Sequence, residues 1–199
     1  MTGPLSGAVL AGGKSSRFGR DKTLEMFHGK RFIDHAVDHL RAVCESVAVV
    51  ANDLAPFLDV DADLLRDIIP GQGPLVGIYT ALLHSPRPWL LVKAADMPFM
   101  EPRLVELLAA SADDTVDVVV PMSGELFEPL LALYHRNCLP LIRAVLNRGG
   151  RKVSDLYRRA RVRRIGESRW REVDPEGRSF LNVNTTEDWE KLHGPEPGP

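Results

Sequence analysis

The sequence is poor in cysteine. Its 199 residues hold two, Cys44 and Cys138, far apart and outside any CxxC pair. A structural zinc site needs more thiolates, or a histidine set at ligand spacing. Two such cysteines read as free thiols of a reducing compartment rather than as a disulfide framework. Charge of one sign is also scarce: 25 Lys and Arg stand against 27 Asp and Glu, a net charge of −2. That balance excludes a protein built to coat nucleic acid, whose domain would be strongly basic. With 44% hydrophobic and 26% charged residues, wholesale disorder is excluded too. No apolar run approaches the ~20 residues of a membrane span. The start, MTGPLSGAVLAGG, has neither the basic region nor the apolar core of a secretory leader. The expectation is a cytoplasmic protein with no membrane and no nucleic-acid partner.

What is present is an alternation of short apolar runs and amphipathic stretches. Residues 6–10, 47–51, 89–95 and 116–120 read as strands, and 130–134 as a further one. Residues 32–43 read as a helix with Phe32, Ala36, His39, Leu40 and Val43 on one face. Residues 75–83, 102–110 and 138–147 are helical, the last stopping at Gly149-Gly150. Strands alternating with helices imply βαβ units and a mostly parallel sheet, with ligands at the carboxyl ends of the strands. The residues that follow each strand therefore carry the functional argument.

After the first strand comes Leu10-Ala11-Gly12-Gly13-Lys14-Ser15-Ser16-Arg17-Phe18-Gly19-Arg20-Asp21-Lys22. Adjacent glycines let the backbone approach a ligand and aim N–H groups at it. Four cations follow within nine residues, Lys14, Arg17, Arg20 and Lys22. Glycine plus cations beyond a strand is what a polyphosphate requires. It is not a P-loop, because Ala8 stands where the first glycine of GxxxxGK[ST] belongs. It is not GxGxxG either, since Gly12 and Gly13 are adjacent.

After the third strand comes Asp96, then Met97-Pro98. A strand-end carboxylate opposite a phosphate loop suits Mg²⁺, a hard cation held by one or two carboxylates and substrate phosphates. The plainer reading is a helix-capping aspartate. Asn52 follows the second strand, and Asp67 precedes Pro70. A carboxylate at Asp67 can contact a ligand at the strand ends, or can be a solvated charge near a turn. Gly73-Pro74-Leu75-Val76-Gly77 opens a helix whose free N–H groups suit an anion or a base edge. Alternation puts Asn182 and Asn184 on one face of an extended segment.

The loop LAGGKSSRFGRDK resembles the opening motif of MobA-type nucleotidyltransferases, the molybdenum cofactor guanylyltransferase family. The likeness extends to GPLVGI at 73–78, AADMPFM at 94–100 and FLNVNTTEDW at 180–189. Phe18 replaces the usual methionine, and Ala94-Ala95 depart mildly from the family pattern. The resemblance implies a Rossmann-like αβα domain with a mostly parallel mixed sheet over 1–193, and a flexible tail over 194–199. It implies transfer of GMP from GTP to the phosphate of molybdenum-loaded molybdopterin, with release of pyrophosphate. Arg17, Lys22 and Asp96 would be catalytic, and Asp96 would hold Mg²⁺. Leu10, Ala11, Gly12, Gly13, Lys22, Asn52, Asp67, Gly77, Asp96, Asn182 and Asn184 would line the ligands. Arg151 and Lys152 would face the pterin. Expected partners are GTP, molybdopterin and, transiently, a molybdenum-insertion protein and a GTP-binding adaptor; the chain is expected to be a monomer. The same residues leave open a cytidylyl- or sugar-1-phosphate nucleotidyltransferase, or a non-catalytic GTP-binding delivery protein.

Two further features compete for a role. His35-Ala36-Val37-Asp38-His39 has the i, i+4 histidines of a zinc helix, but with Asp in place of Glu and no third ligand. From Arg151 to Glu172, nine basic residues face three acids. That stretch is either a solvated face or a docking surface for an anion.

Overall fold

The structure, a computed structural model, describes residues 3–12 and 22–182. The candidates Gly13, Arg17 and Asn184, and the tail over 194–199, lie outside them. Among the described residues ten strands form: β1 Ser6–Leu10, β2 Met26–Phe27, β3 Lys30–Arg31, β4 Ser46–Ala51, β5 Asp63–Arg66, β6 Trp89–Ala94, β7 Val118–Ser123, β8 Leu126–Phe127, β9 Leu131–His135 and β10 Val162–Ile165. The helices are α1 Phe32–Arg41, α2 Pro74–His84, α3 Pro102–Ala110, α4 Cys138–Asn147, α5 Val153–Tyr157 and α6 Glu167–Trp170.

The main sheet runs β10-β7-β9-β6-β1-β4-β5, with β8 paired to β7. β6, β1, β4 and β5 are mutually parallel. β9 is antiparallel to both of its neighbours, β6 and β7. β10 is parallel to β7.

Strand alternation divides the core into two layers. Val9, Val49, Leu91, Val119 and Leu133 pack with Ile33, Val37 and Leu40 of α1 and Leu104 and Leu108 of α3. Ala8, Val50, Val92, Val120 and Ala132 pack with Leu75 and Ile78 of α2, Ile142 of α4 and Leu156 of α5. Each fully buried aliphatic side chain contributes roughly 1.5–3 kcal/mol, so residues with zero exposure at both faces fix the sheet between two helical layers. The sequence-predicted helix ends are met for α3 and α4. Gly149 stops α4 at φ +81°, a conformation that favours glycine, and its N–H donates to Leu146 O at 3.0 Å.

The strand order places the site. From β1 the chain moves outward to β4 and β5, then returns to the other side of β1 as β6. Strand order reverses about β1, and the carboxyl ends of strands flanking such a reversal bound a crevice.

Candidate active site

The carboxyl ends of four parallel strands are laced together beyond the strands themselves. Ala11 N–H donates to Val50 O at 2.9 Å, Ala95 N–H to Leu10 O at 3.2 Å, and Asp67 N–H to Ala51 O at 3.0 Å. These bonds hold Leu10, Ala11, Gly12, Asn52, Asp67 and Asp96 on one edge of the sheet. A Cβ built on Gly12 would lie 3.9 Å from Asn52 Nδ2, so the glycine backbone abuts that amide. Asn52 Oδ1 in turn accepts from Gly71 N–H at 3.1 Å, which pins the loop entering α2.

Asp96 follows β6 on a turn that runs to Met100. It is not a helix cap, because the residue preceding α3 is Glu101, whose carboxylate accepts from Arg103 N–H at 3.4 Å. Burial pushes the Asp96 carboxyl up from its ordinary value. Its own backbone amide and the charges of Lys22 and Lys93 pull it back. Lys22 begins a 3-10 turn, Lys22–Leu24, and lies within electrostatic reach of Asp96. The loop cation and the strand-end carboxylate, 74 positions apart in sequence, are thus brought close enough to interact.

Asp67 is half-buried. Its carboxyl is pushed up by burial, and the Thr80 hydroxyl, which donates at 2.9 Å, opposes that shift. The α2 N-terminus stands nearby, with Gly73 at φ +83° and no side chain capping it. Arg151 closes the other side of this N-terminus. Its guanidinium donates to Gln72 Oε1 and to Leu146 O and Gly150 O. Lys152 is exposed and precedes α5. Asn182 is exposed, and its segment departs from beside the Asp96 turn, where Ser179 Oγ accepts from Glu101 N–H at 2.9 Å.

Gly77 lies within α2 rather than at a strand end. It is buried, and a Cβ there would come within 3.2 Å of Leu10 Cδ2. Its observed part is the close approach of α2 to β1, which supports the loop from behind.

Three residues of this region escape sequence reasoning. Thr80 orients Asp67. Lys93, within the apolar β6, is fully buried and donates to Phe99 O at 2.8 Å. Glu128 lies where the antiparallel β9 begins, at the same edge. Its N–H donates to Pro121 O at 2.9 Å, neighbouring Leu130 O accepts from Ala94 N–H, and burial pushes its carboxyl up. A lysine inside an otherwise apolar strand was the available signal for Lys93.

The zinc alternative dissolves. His35 Nε2 meets Phe27 O at 2.7 Å, and Asp38 pairs with Lys30 at 2.6 Å. Burial pushes His39 down to about 4. Among the described residues no group of three or more His, Cys, Asp or Glu could hold a metal ion. Five arginines of the arginine-rich stretch are paired with acids, three within the stretch and two well before it in sequence. Arg158, Arg161, Arg163, Arg169 and Arg171 pair with Asp155, Asp117, Asp113, Glu172 and Glu167.

Comparison with known proteins decides the family. The MobA-like NTP transferase domain model matches residues 7–163, a span that contains the loop, Asp67, Asp96 and Arg151. The chain belongs to the MobA-like NTP transferase family. It is a nucleotidyltransferase. It is 38% identical over 188 residues to a molybdenum cofactor guanylyltransferase of Desulfosudis oleivorans, covering 94% of this chain and 93% of that protein. It is 35% identical to a probable molybdenum cofactor guanylyltransferase of Carboxydothermus hydrogenoformans, covering 94% of each. The crystal structure of molybdopterin-guanine dinucleotide biosynthesis protein A from Archaeoglobus fulgidus superposes with a TM-score of 0.82. It is 30% identical and covers 94% of this chain and 95% of that one. Among the described residues of this MobA-like chain, no helix is long and apolar enough to cross a membrane.

Proposed function

We propose that this nucleotidyltransferase transfers GMP from GTP to the terminal phosphate of molybdenum-loaded molybdopterin, forming the guanine dinucleotide cofactor and releasing pyrophosphate. The observation that carries the reading is that Lys22 lies within electrostatic reach of Asp96, just beyond the carboxyl end of β6, in a chain whose relatives are named molybdenum cofactor guanylyltransferases.

The residues fit a hard divalent cation. Asp96 offers a largely buried carboxylate that burial pushes up, with two lysines acting against that shift. With no second protein ligand cluster among the described residues, the other ligands would be phosphate oxygens and water, as is usual for Mg²⁺. When bound, Mg²⁺ would neutralise charge on the α-phosphate and orient the triphosphate.

The rest falls to the chain. The Gly12-Gly13 backbone cradles the triphosphate, and Lys22 with Arg17 stabilises the charge that grows on the departing pyrophosphate. Asp67, steadied by Thr80, receives the guanine N1–H and N2–H. Asn52 sets the loop that separates base from phosphate. Arg151, Lys152, Asn182 and Asn184 receive the pterin phosphate, whose oxygen attacks the α-phosphorus in line. That oxygen is already ionised at neutral pH, so no general base is needed, and catalysis is positioning plus charge stabilisation. Cytoplasmic location, a monomeric state and transient contacts with a molybdenum-insertion protein and a GTP-binding adaptor complete the proposal.

The test is pyrophosphate release from Mg²⁺-GTP in the presence of molybdopterin, with CTP and ATP in parallel. Release with GTP alone, abolished in Lys22→Ala and Asp96→Ala, supports the reading. Release with CTP but not GTP would overturn the guanine assignment, and wild-type rates in either variant would overturn the mechanism.

A further inference from the structure

Lys93 is the fifth residue of β6 and has no exposed surface. Lysine is almost never fully buried unless its ammonium is compensated. A leucine or methionine would fill the same strand position without that desolvation cost. What compensates Lys93 is therefore informative.

Alternation along β6 places Leu91 on the face covered by α1 and α3, and Leu90 and Val92 on the opposite one. Lys93 shares the face of Leu91. Its Nζ donates to Phe99 O at 2.8 Å, so a strand side chain reaches forward to grip the turn that follows its own strand. The Phe99 ring is fixed as well. Phe27 packs edge-on against it at 5.6 Å, and the Arg178 guanidinium lies over it at 4.3 Å. The turn is pinned at its start by Met97 N–H, which donates to Ala94 O at 3.4 Å. It is pinned at its end by Glu101 N–H on Ser179 Oγ.

Among the described residues, Asp96 and His39 are the ionisable groups that act electrostatically on Lys93 or feel its charge. Asp96 favours the ammonium, and His39, neutral through burial, contributes no charge at pH 7. Lys93 is itself pushed down to about 7 by burial, with Asp96 acting against that shift. A site built only for packing would carry neither the cation nor its directed hydrogen bond.

We propose that Lys93 is the positioning residue of the Asp96–Met100 turn, its ammonium gripping Phe99 O so that the Asp96 carboxylate is held where the triphosphate and its metal arrive. The proposal rests on the reading of Asp96 given above.

Two variants and two measurements test it. Lys93→Met removes both charge and hydrogen bond. Lys93→Gln keeps a donor. Hydrogen exchange over residues 96–100 is compared with exchange in β1 and β4, and the Mn²⁺ concentration that half-saturates GTP binding is measured alongside. In Lys93→Met, exchange at 96–100 should accelerate about tenfold while β1 and β4 keep their protection. The Mn²⁺ half-saturation should rise about tenfold, the lower end for loss of a partner behind a metal ligand. Lys93→Gln should recover part of both.

Unchanged exchange at 96–100 overturns the proposal. So does protection lost evenly through the sheet, which would make Lys93 a residue of general stability. A loosened turn with unchanged Mn²⁺ dependence overturns the functional role. A wild-type protein that binds GTP without regard to Mn²⁺ defeats the reading of Asp96 instead, and the exchange data distinguish that failure from the others.

Discussion

The Thr80 hydroxyl, on α2, donates to Asp67 Oδ1 at 2.9 Å, so the helix that follows the base-side loop steers the carboxylate at its start. Burial and this hydrogen bond act on Asp67 in opposite directions. Asp67→Ala should weaken GTP binding by about 10–100-fold, the worth of roughly 1.5–3 kcal/mol of charge-assisted hydrogen bonding. Thr80→Val removes the effect that lowers the Asp67 pKa and leaves burial, which raises it. The acid-side loss of GTP affinity should then begin at higher pH than in the wild type. Calorimetric titration across pH 4–7 would check both, and an unmoved acid limb in Thr80→Val would contradict the steering role.

Asp117 and Arg161 form a clasp at the other end of the sheet. Arg161 donates to the Asp117 carboxylate through its backbone N–H at 3.0 Å, Nε at 3.0 Å and Nη2 at 2.6 Å. Asp117 is 5% exposed and holds β10 against the amino end of β7. Asp117→Ala should cost about 2 kcal/mol, less than a fully buried pair because the Arg161 side chain is half in solvent. For a chain this size that lowers Tm by roughly 4–8 °C. The guanidinium holds Asp117 below the ordinary carboxylate range. This contribution is therefore present above the unfolded pKa and lost as pH falls through the folded one. Pyrophosphate release at 25 °C should be unaffected, since the clasp sits away from the nucleotide edge.

His39 gives a second pH signature. Its folded value, about 4, lies below the ordinary 6.5, and its Nδ1 is buried with no hydrogen-bond partner among the described residues. Between those values the unfolded chain binds the proton and the folded one does not, so stability falls as pH drops through that window. The loss should be of order 1–2 kcal/mol after allowance for partial exposure. His39→Leu should flatten the decline in Tm from pH 6.5 to 4 and leave neutral-pH activity intact. A slope unchanged by the substitution would refute this origin.

Cys44 and Cys138 are both pushed up to about 12 by burial, and both are free. Thiolates are the reactive species, so native protein at pH 8 should resist a thiol-reactive disulfide reagent. Two equivalents should react only after denaturation.

The edge that carries the candidate site was legible because buried parallel strands write themselves as unbroken apolar runs, and β1 and β6 lead into the glycine pair and Asp96. Gly149 was legible because a left-handed residue after a helix favours glycine. β5 was not, since Asp63 and Arg66 bracket only two apolar residues at a sheet edge. Nor was β10, where Arg163 and Arg164 hide a strand between Val162 and Ile165. The arginine-rich stretch read as a surface charge, whereas its partners are acids far away in sequence, such as Asp113 and Asp117. Strand direction has no local code, so the antiparallel β9, and with it the placement of Glu128, emerges only from pairing. Lys93 was passed over because hydrophobic patterning treats a lysine in a strand as an interruption.

The register of β1 has a consequence for how the chain comes to be. Ser6 pairs with Ser46 on one side and with Leu90 on the other. The proposed phosphate loop is synthesised before β6, so one flank of its strand stays open until residues 89–94 have emerged. Closing so long a loop is entropically costly and slow, and the exposed edge is an invitation to mispairing. The proposed nucleotide site is therefore begun with β1 and completed only with the arrival of β6, the strand that also delivers Lys93 and Asp96.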